Sequence, residues 1–238
     1  MRFLGHLAKK LLPEPLKRAS RRARARTALL SALDSWGFEA SRRLAQPVDC
    51  ATRPLPWYTY PAIAFLDGLN FSNCDVFEWG AGNSTLYWSR NARFVRSIEH
   101  DRHWFDLLSM NGLPANVTLV HAGDAASYLD GPRGDAFDVV VVDGLHRAEC
   151  ARRAPLHLKP GGLIILDNSD WLPKTAGQLR NAGFIQVDFH GLGPINAYPW
   201  CTSFFFPRDF GNRPSERQPR RDPLSLDRDW DEDPTFGL

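Results

Sequence analysis

Four residues in the middle of this 238-residue chain have the types needed to hold a hydroxyl group and take its proton. Asp143 and His146 stand together in Asp143-Gly144-Leu145-His146, and Asp167 and Asn168 open Asp167-Asn168-Ser169-Asp170. Asp143, Asp167 and Asn168 supply hard oxygen donors of the kind Mg²⁺ prefers, and a bound cation would lower the pKa of a coordinated hydroxyl. Histidine titrates near neutrality, which suits His146 to accept the released proton as general base, with Asp143 as its catalytic companion. The same residues are ordinary turn formers. A second reading therefore stays open, in which Asp143 only contacts a cofactor or caps a helix, the 167–170 segment is a loop, and no metal binds.

A second constellation lies upstream, in Val76-Phe-Glu78-Trp-Gly80-Ala-Gly82-Asn83-Ser84-Thr85. Glycines at a strand-to-helix turn let a ligand approach the backbone, and the helix start offers free N–H donors. A dinucleotide fingerprint would place a third glycine where this chain has Thr85, and the acidic Glu78 would oppose a pyrophosphate. A ligand with an α-amino group and a sulfonium is instead attracted by that acid. Two further acids follow in order, Glu99 and Asp124.

On these residues the chain resembles the class I S-adenosylmethionine (SAM)-dependent methyltransferases, over roughly residues 73 to 206. The resemblance implies that Glu78, Gly80, Gly82, Asn83, Ser84 and Thr85 cradle SAM, that Glu99 holds its ribose hydroxyls, and that Asp124 lies near its adenine amino group. Around Asp143 and Asp167 the sequence is similar to metal-dependent O-methyltransferases of catechol and macrolide-sugar type. Where the catechol group has lysine, this chain has His146, as the macrolide-sugar group does. The implied reaction is an in-line methyl transfer to oxygen without a covalent enzyme intermediate. On the residues alone, Glu99 and Asp124 can equally be helix caps.

Positioning these groups requires strand ends along one edge. Short apolar runs at 75–78, 94–99, 117–120, 137–143, 162–167, 184–189 and 202–206 alternate with helix-compatible stretches. They predict a doubly wound α/β fold with a seven-stranded Rossmann-like sheet, mostly parallel with an antiparallel last strand. Val139 to Val142 reads as a central strand buried on both faces, and Pro160-Gly161-Gly162 as a sharp turn before the next one. The division expected is a basic helical extension over 1–45, a methyltransferase domain over 46–207 and a disordered, proline-rich tail over 208–238.

Charge is uneven. Residues 1–26 hold nine Lys or Arg against Glu14 alone, which leaves 20 basic and 26 acidic residues elsewhere, from totals of 29 and 27. An acidic body argues against a nucleic-acid-binding core, and the Pro-Pro-aromatic motif of DNA amino-methylating enzymes is absent after Asp143. No DNA partner is expected, and an RNA methyltransferase ranks low. The expected acceptor is a small molecule or a saccharide. The basic N-terminus, with Arg21 to Leu33 as an amphipathic helix, is either a solvated face or a peripheral membrane contact. Four dispersed cysteines suggest neither disulfides nor zinc, and no apolar run is long enough to span a bilayer, which favours a cytoplasmic protein, peripheral to the membrane at most. A noncatalytic SAM-fold binding module is the main alternative.

Overall fold

The computed structural model describes residues 13–110 and 112–211. The tail expected over 208–238 therefore lies outside the described residues from position 212 onward. Phe210 packs edge-on against Phe206 at 4.6 Å, and the Gly211 N–H donates to the Gly161 carbonyl.

The centre is a seven-stranded sheet of β1 (Asp75–Trp79), β2 (Phe94–Glu99), β3 (Val117–His121), β4 (Phe137–Val142), β5 (Leu158–Asp167), β6 (Ile185–Gly191) and β7 (Trp200–Phe206), in the order β3-β2-β1-β4-β5-β7-β6. β1 to β5 run parallel, and β7 is antiparallel to both β5 and β6. The order reverses between β1 and β4, so a crevice is set at the carboxyl ends of those two strands, where open α/β sheets bind ligands.

β4 explains why the sheet is so apolar at its centre. Val139 and Val141 face one hydrophobic cluster, with Tyr58, Leu66 and Trp88, while Val140 and Val142 face another, with Trp79, Ile164 and Leu166. A strand covered on both faces needs a continuous branched run rather than alternation.

β5 departs from expectation at its start. It begins at Leu158 instead of Gly162, and Pro160-Gly161-Gly162 lies within the strand rather than forming a turn before it. The register slips from Phe137↔Leu158 to Val139↔Leu163, and Gly161 takes φ +73° at the irregularity. A side chain at Gly162 would sit 2.8 Å from the Asp138 carbonyl. The glycines thus mark an irregularity where strands crowd, and not a break.

Ahead of the sheet, α1 (Glu14–Ser35) ends at Trp36, Gly37 turns the chain at φ +90°, and α2 (Phe38–Leu44) follows. The ring of Trp36 meets Tyr60, at the start of α3 (Tyr60–Asp67), edge-on at 5.0 Å.

Candidate functional site

The glycine turn leaves β1 and enters α4 (Asn83–Asn91). Gly80 takes φ +97°, and a Cβ there would fall 2.8 Å from Gly144 Cα, in the turn after β4. The reciprocal Cβ on Gly144 would land 2.8 Å from the Gly80 nitrogen and 2.0 Å from the Tyr128 hydroxyl. Two chain turns therefore touch backbone to backbone, which only glycine permits. The contact fixes the β1 and β4 ends against each other, helped by the Asp143 N–H donating to the Trp79 carbonyl at 3.1 Å.

Beneath this contact Glu78 is completely buried. Its Oε2 accepts from Thr85 Oγ1 and Ser97 Oγ, each at 2.7 Å, whereas Oε1 has no partner. Burial pushes its carboxyl up to about 7, with the hydroxyl bonds opposing and the nearby Asp143 charge adding to the rise. Thr85 also receives the Gly82 N–H at 3.2 Å, so the residue in the third-glycine position locks the turn through its hydroxyl. Ser84 is buried beside it, while Asn83 turns outward and donates to the Pro47 carbonyl at 2.7 Å.

Glu99, at the end of β2, is nearly buried and holds backbone. Its Oε1 accepts the His100 and Asp101 N–H groups at 2.8 Å, and Oε2 takes the Ala81 N–H at 3.1 Å. The carboxylate thereby ties the glycine turn to the chain entering α5 (Arg102–Met110), with accepting capacity left on Oε2. From α5 the Trp104 indole donates to the Ala81 carbonyl at 2.7 Å and lies over Gly82. Asp124 is farther out. Both its oxygens are engaged by Ser127, through the backbone N–H and the hydroxyl, as the cap of the short helix α6 (Ala125–Leu129).

At the ends of β4 and β5 the expected metal ligands do not converge on an ion. Arg147, the first residue of α7 (Arg147–Arg153), lies between them. Its guanidinium reaches Asp143 Oδ1 at 3.0 Å, Asn168 Oδ1 at 2.7 Å and the carbonyls of Asp143, Gly144 and Asp167 at 2.8–3.0 Å. Asp167 turns the other way, its Oδ1 accepting from Thr202 at 2.5 Å and from the Trp200 indole at 3.1 Å. Among the described residues no three acidic, His or Cys side chains gather to hold a cation. The Mg²⁺ expected on Asp143, Asp167 and Asn168 therefore finds no support in this arrangement, where a guanidinium supplies the positive charge that joins the two strand ends.

The two acids nevertheless remain a strained pair. Asp167 is driven well above the carboxylate range by burial first and by Asp143 second, and Asp143 is raised to about 6 by burial, with Arg147 opposing. Tyr58 lies fully buried against the same acids, its hydroxyl unpartnered. His146 sits in the left-handed region (φ 51°), exposed, with its ring 6.5 Å from that of Tyr128. The structure brings Glu78, the glycine turn, Glu99, Asp143 and His146 to one edge, and leaves Asp124 spent on a helix cap.

Two aromatic segments, Trp57-Tyr58-Thr59-Tyr60 and Tyr198-Pro199-Trp200, meet beside the connection between β6 and β7. Thr59 donates to the Phe189 carbonyl, Tyr60 to that of Leu192, and Gly193 is pressed between Trp200 and the Tyr58 carbonyl. Tyr58, Tyr60 and Trp200 are packing residues, whereas Trp57 and Tyr198 remain exposed. A cavity of about 550 Å³ lies elsewhere, between α3 and α4.

Arg147 escaped sequence reasoning, although its spacing of four from Asp143 was an available signal.

A family model described as a methyltransferase domain matches residues 77–169. No curated protein matches the sequence. Among solved structures, a precorrin-6y C5,15-methyltransferase from Geobacter metallireducens GS-15 superposes with a TM-score of 0.51 at 19% identity, over 62% of this chain and 87% of that one. A methyltransferase from Pyrococcus furiosus gives 0.46 at 17% identity, over 77% and 98%. A Streptococcus mutans protein in complex with SAH gives 0.45 at 14%, over 60% and 93%. Residues 77–169 thus match a methyltransferase-domain model, and the seven-stranded sheet has the fold of the precorrin-6y methyltransferase, in line with the SAM-dependent family that the glycine turn and the strand-end acids resemble.

Proposed function

We propose that this chain is a SAM-dependent methyltransferase that methylates a hydroxyl oxygen of a small-molecule or saccharide acceptor, with His146 as general base. The observation that carries the reading is the buried Glu78 carboxyl, whose free Oε1 lies under a glycine contact that no side chain could occupy. A buried acceptor without a donor is costly, and a ligand bearing a protonated amine relieves it.

Glu78 and the glycine backbone would hold the amino-acid end of SAM, and Glu99 Oε2 has room for a ribose hydroxyl. The cofactor supplies an electrophilic methyl group on a cationic sulfur. The chain itself provides a negative edge, from Glu78 to Asp143, that favours such a cation and an orientation fixed by the two rigid turns. His146, exposed at the same edge, takes the acceptor's hydroxyl proton as the carbon–oxygen bond forms. Trp57 and Tyr198 offer ring faces to a sugar or an aromatic acceptor. With Arg147 already in place between the strand ends, the reaction as proposed needs no divalent cation.

The test is methyl transfer from labelled SAM to a panel of hydroxyl-bearing acceptors. Wild type should turn over, and His146→Gln should keep its SAM affinity while losing about 100-fold in rate. No SAM binding by wild type would remove the whole reading. SAM binding without transfer to any acceptor would favour the noncatalytic module, and an undiminished His146→Gln rate would remove only the base.

A further inference from the structure

α1 is the feature that the methyltransferase reading leaves unused. Its 22 residues give a length of about 33 Å, and from Arg21 to Ser31 every side chain is exposed. Among the described residues it is its end that packs on the core, through Leu33 and Trp36. Six basic residues lie between Lys17 and Arg26, with no acid from 15 to 33. Arg18, Arg22 and Arg26 follow one another four apart, an arrangement of like charges that weakens an isolated helix. The internal help visible is modest: Arg24 reaches back to Ser20 at 3.3 Å. Such a helix is stabilised by a partner that supplies negative charge.

The opposite stripe narrows the class of partner. Leu16, Ala19, Ala23, Thr27 and Leu30 recur at three- and four-residue steps, and Leu16 and Leu30 are 54% and 43% exposed. The sequence before α1 adds Phe3, Leu4, Leu7, Leu11 and Leu12 among Arg2, Lys9 and Lys10. A nucleic-acid backbone rewards the arginines but has no use for this apolar set, whereas a lipid interface takes both. The acidic remainder of the chain would be repelled by the same surface, so that α1 alone would make the contact.

We infer that α1 is a peripheral membrane anchor, lying on an anionic lipid surface with the Leu16–Leu30 stripe toward the acyl chains and the arginines among the head groups. Its base meets Tyr60 through Trp36, in the segment that carries Trp57. Docking would therefore bring the acceptor edge close to the membrane.

The experiment is co-sedimentation of the full chain with phosphatidylcholine vesicles, with and without about one-third phosphatidylserine, beside a mobility assay on a short RNA duplex. Two variants are compared, one with Arg18, Arg21, Arg22, Arg24 and Arg26 changed to Gln, the other Leu16→Ser with Leu30→Ser. Both alter exposed positions, and far-UV circular dichroism reports whether the domain persists. Wild type should bind the anionic vesicles only. The arginine variant should lose at least tenfold, since each basic residue near such a surface contributes on the order of fivefold, and the leucine variant should also weaken. Equal binding to neutral vesicles, tighter binding to the RNA duplex, or unchanged binding in both variants would overturn the inference.

Discussion

Glu78→Gln isolates the electrostatic cost of burying this carboxyl. The carboxyl moves from an ordinary value of 4.5 to about 7 on folding, chiefly through burial. A raised acid contributes stability that is fully present below its unfolded pKa and is lost as pH rises through the folded one. For Glu78 that window runs from about 4.5 to about 7, and the displacement is worth roughly 3 kcal/mol. Glutamine keeps an oxygen for Thr85 and Ser97 but brings a buried N–H₂ to the position of Oε1, a penalty of about 1–3 kcal/mol that does not change with pH. The quantity to follow is therefore the difference between variant and wild type in denaturant unfolding, measured at pH 5 and at pH 9. It should move in the variant's favour by roughly 2.5 kcal/mol across that interval, the rest having been lost below pH 5. At neutral pH the variant should bind SAM at least tenfold more weakly, because a cation no longer meets a carboxylate. A pH-independent difference would refute the reasoning, since Glu78 would then be ionised in both states and held by its hydroxyl bonds.

Two further outcomes follow from the same edge. Arg147→Ala leaves Asp143 and Asn168 without their cation and should cost about 3 kcal/mol in unfolding free energy, discounted toward the lower end because roughly a fifth of the side chain is exposed; wild-type turnover should meanwhile survive EDTA. Gly144→Ala should destabilise by about 2 kcal/mol or more in thermal unfolding, and Tyr128→Phe should fail to rescue it, because the clash with the Gly80 backbone remains after the hydroxyl is gone.

The sequence was most legible where burial dictated residue type. Val139 to Val142 could only be a strand covered on both sides, and the antiparallel last strand and the acid-bearing strand ends appear as expected. It was least legible where polar groups choose between equivalent partners. Asp167 has the type of a metal ligand, yet its carboxylate is claimed by Thr202 and Trp200, residues brought close only by β7 pairing with β5. Arg147 folds back over its own turn, a rotamer choice that no spacing specifies. Proline and glycine at 160–162 suggested a turn because glycine in a crowded strand and glycine at a bend leave the same mark in sequence.

The antiparallel direction of β7 has a practical consequence. Because β7 runs from the carboxyl end of β5 back toward its start, the chain reaches Gly161 and Gly211 on the side of the sheet remote from the glycine turn. A label or surface tether attached at residue 211 therefore starts from the end of the sheet opposite the glycine turn. Attachment at that point would leave the glycine-turn edge, where SAM is proposed to bind, at the other end of the strands.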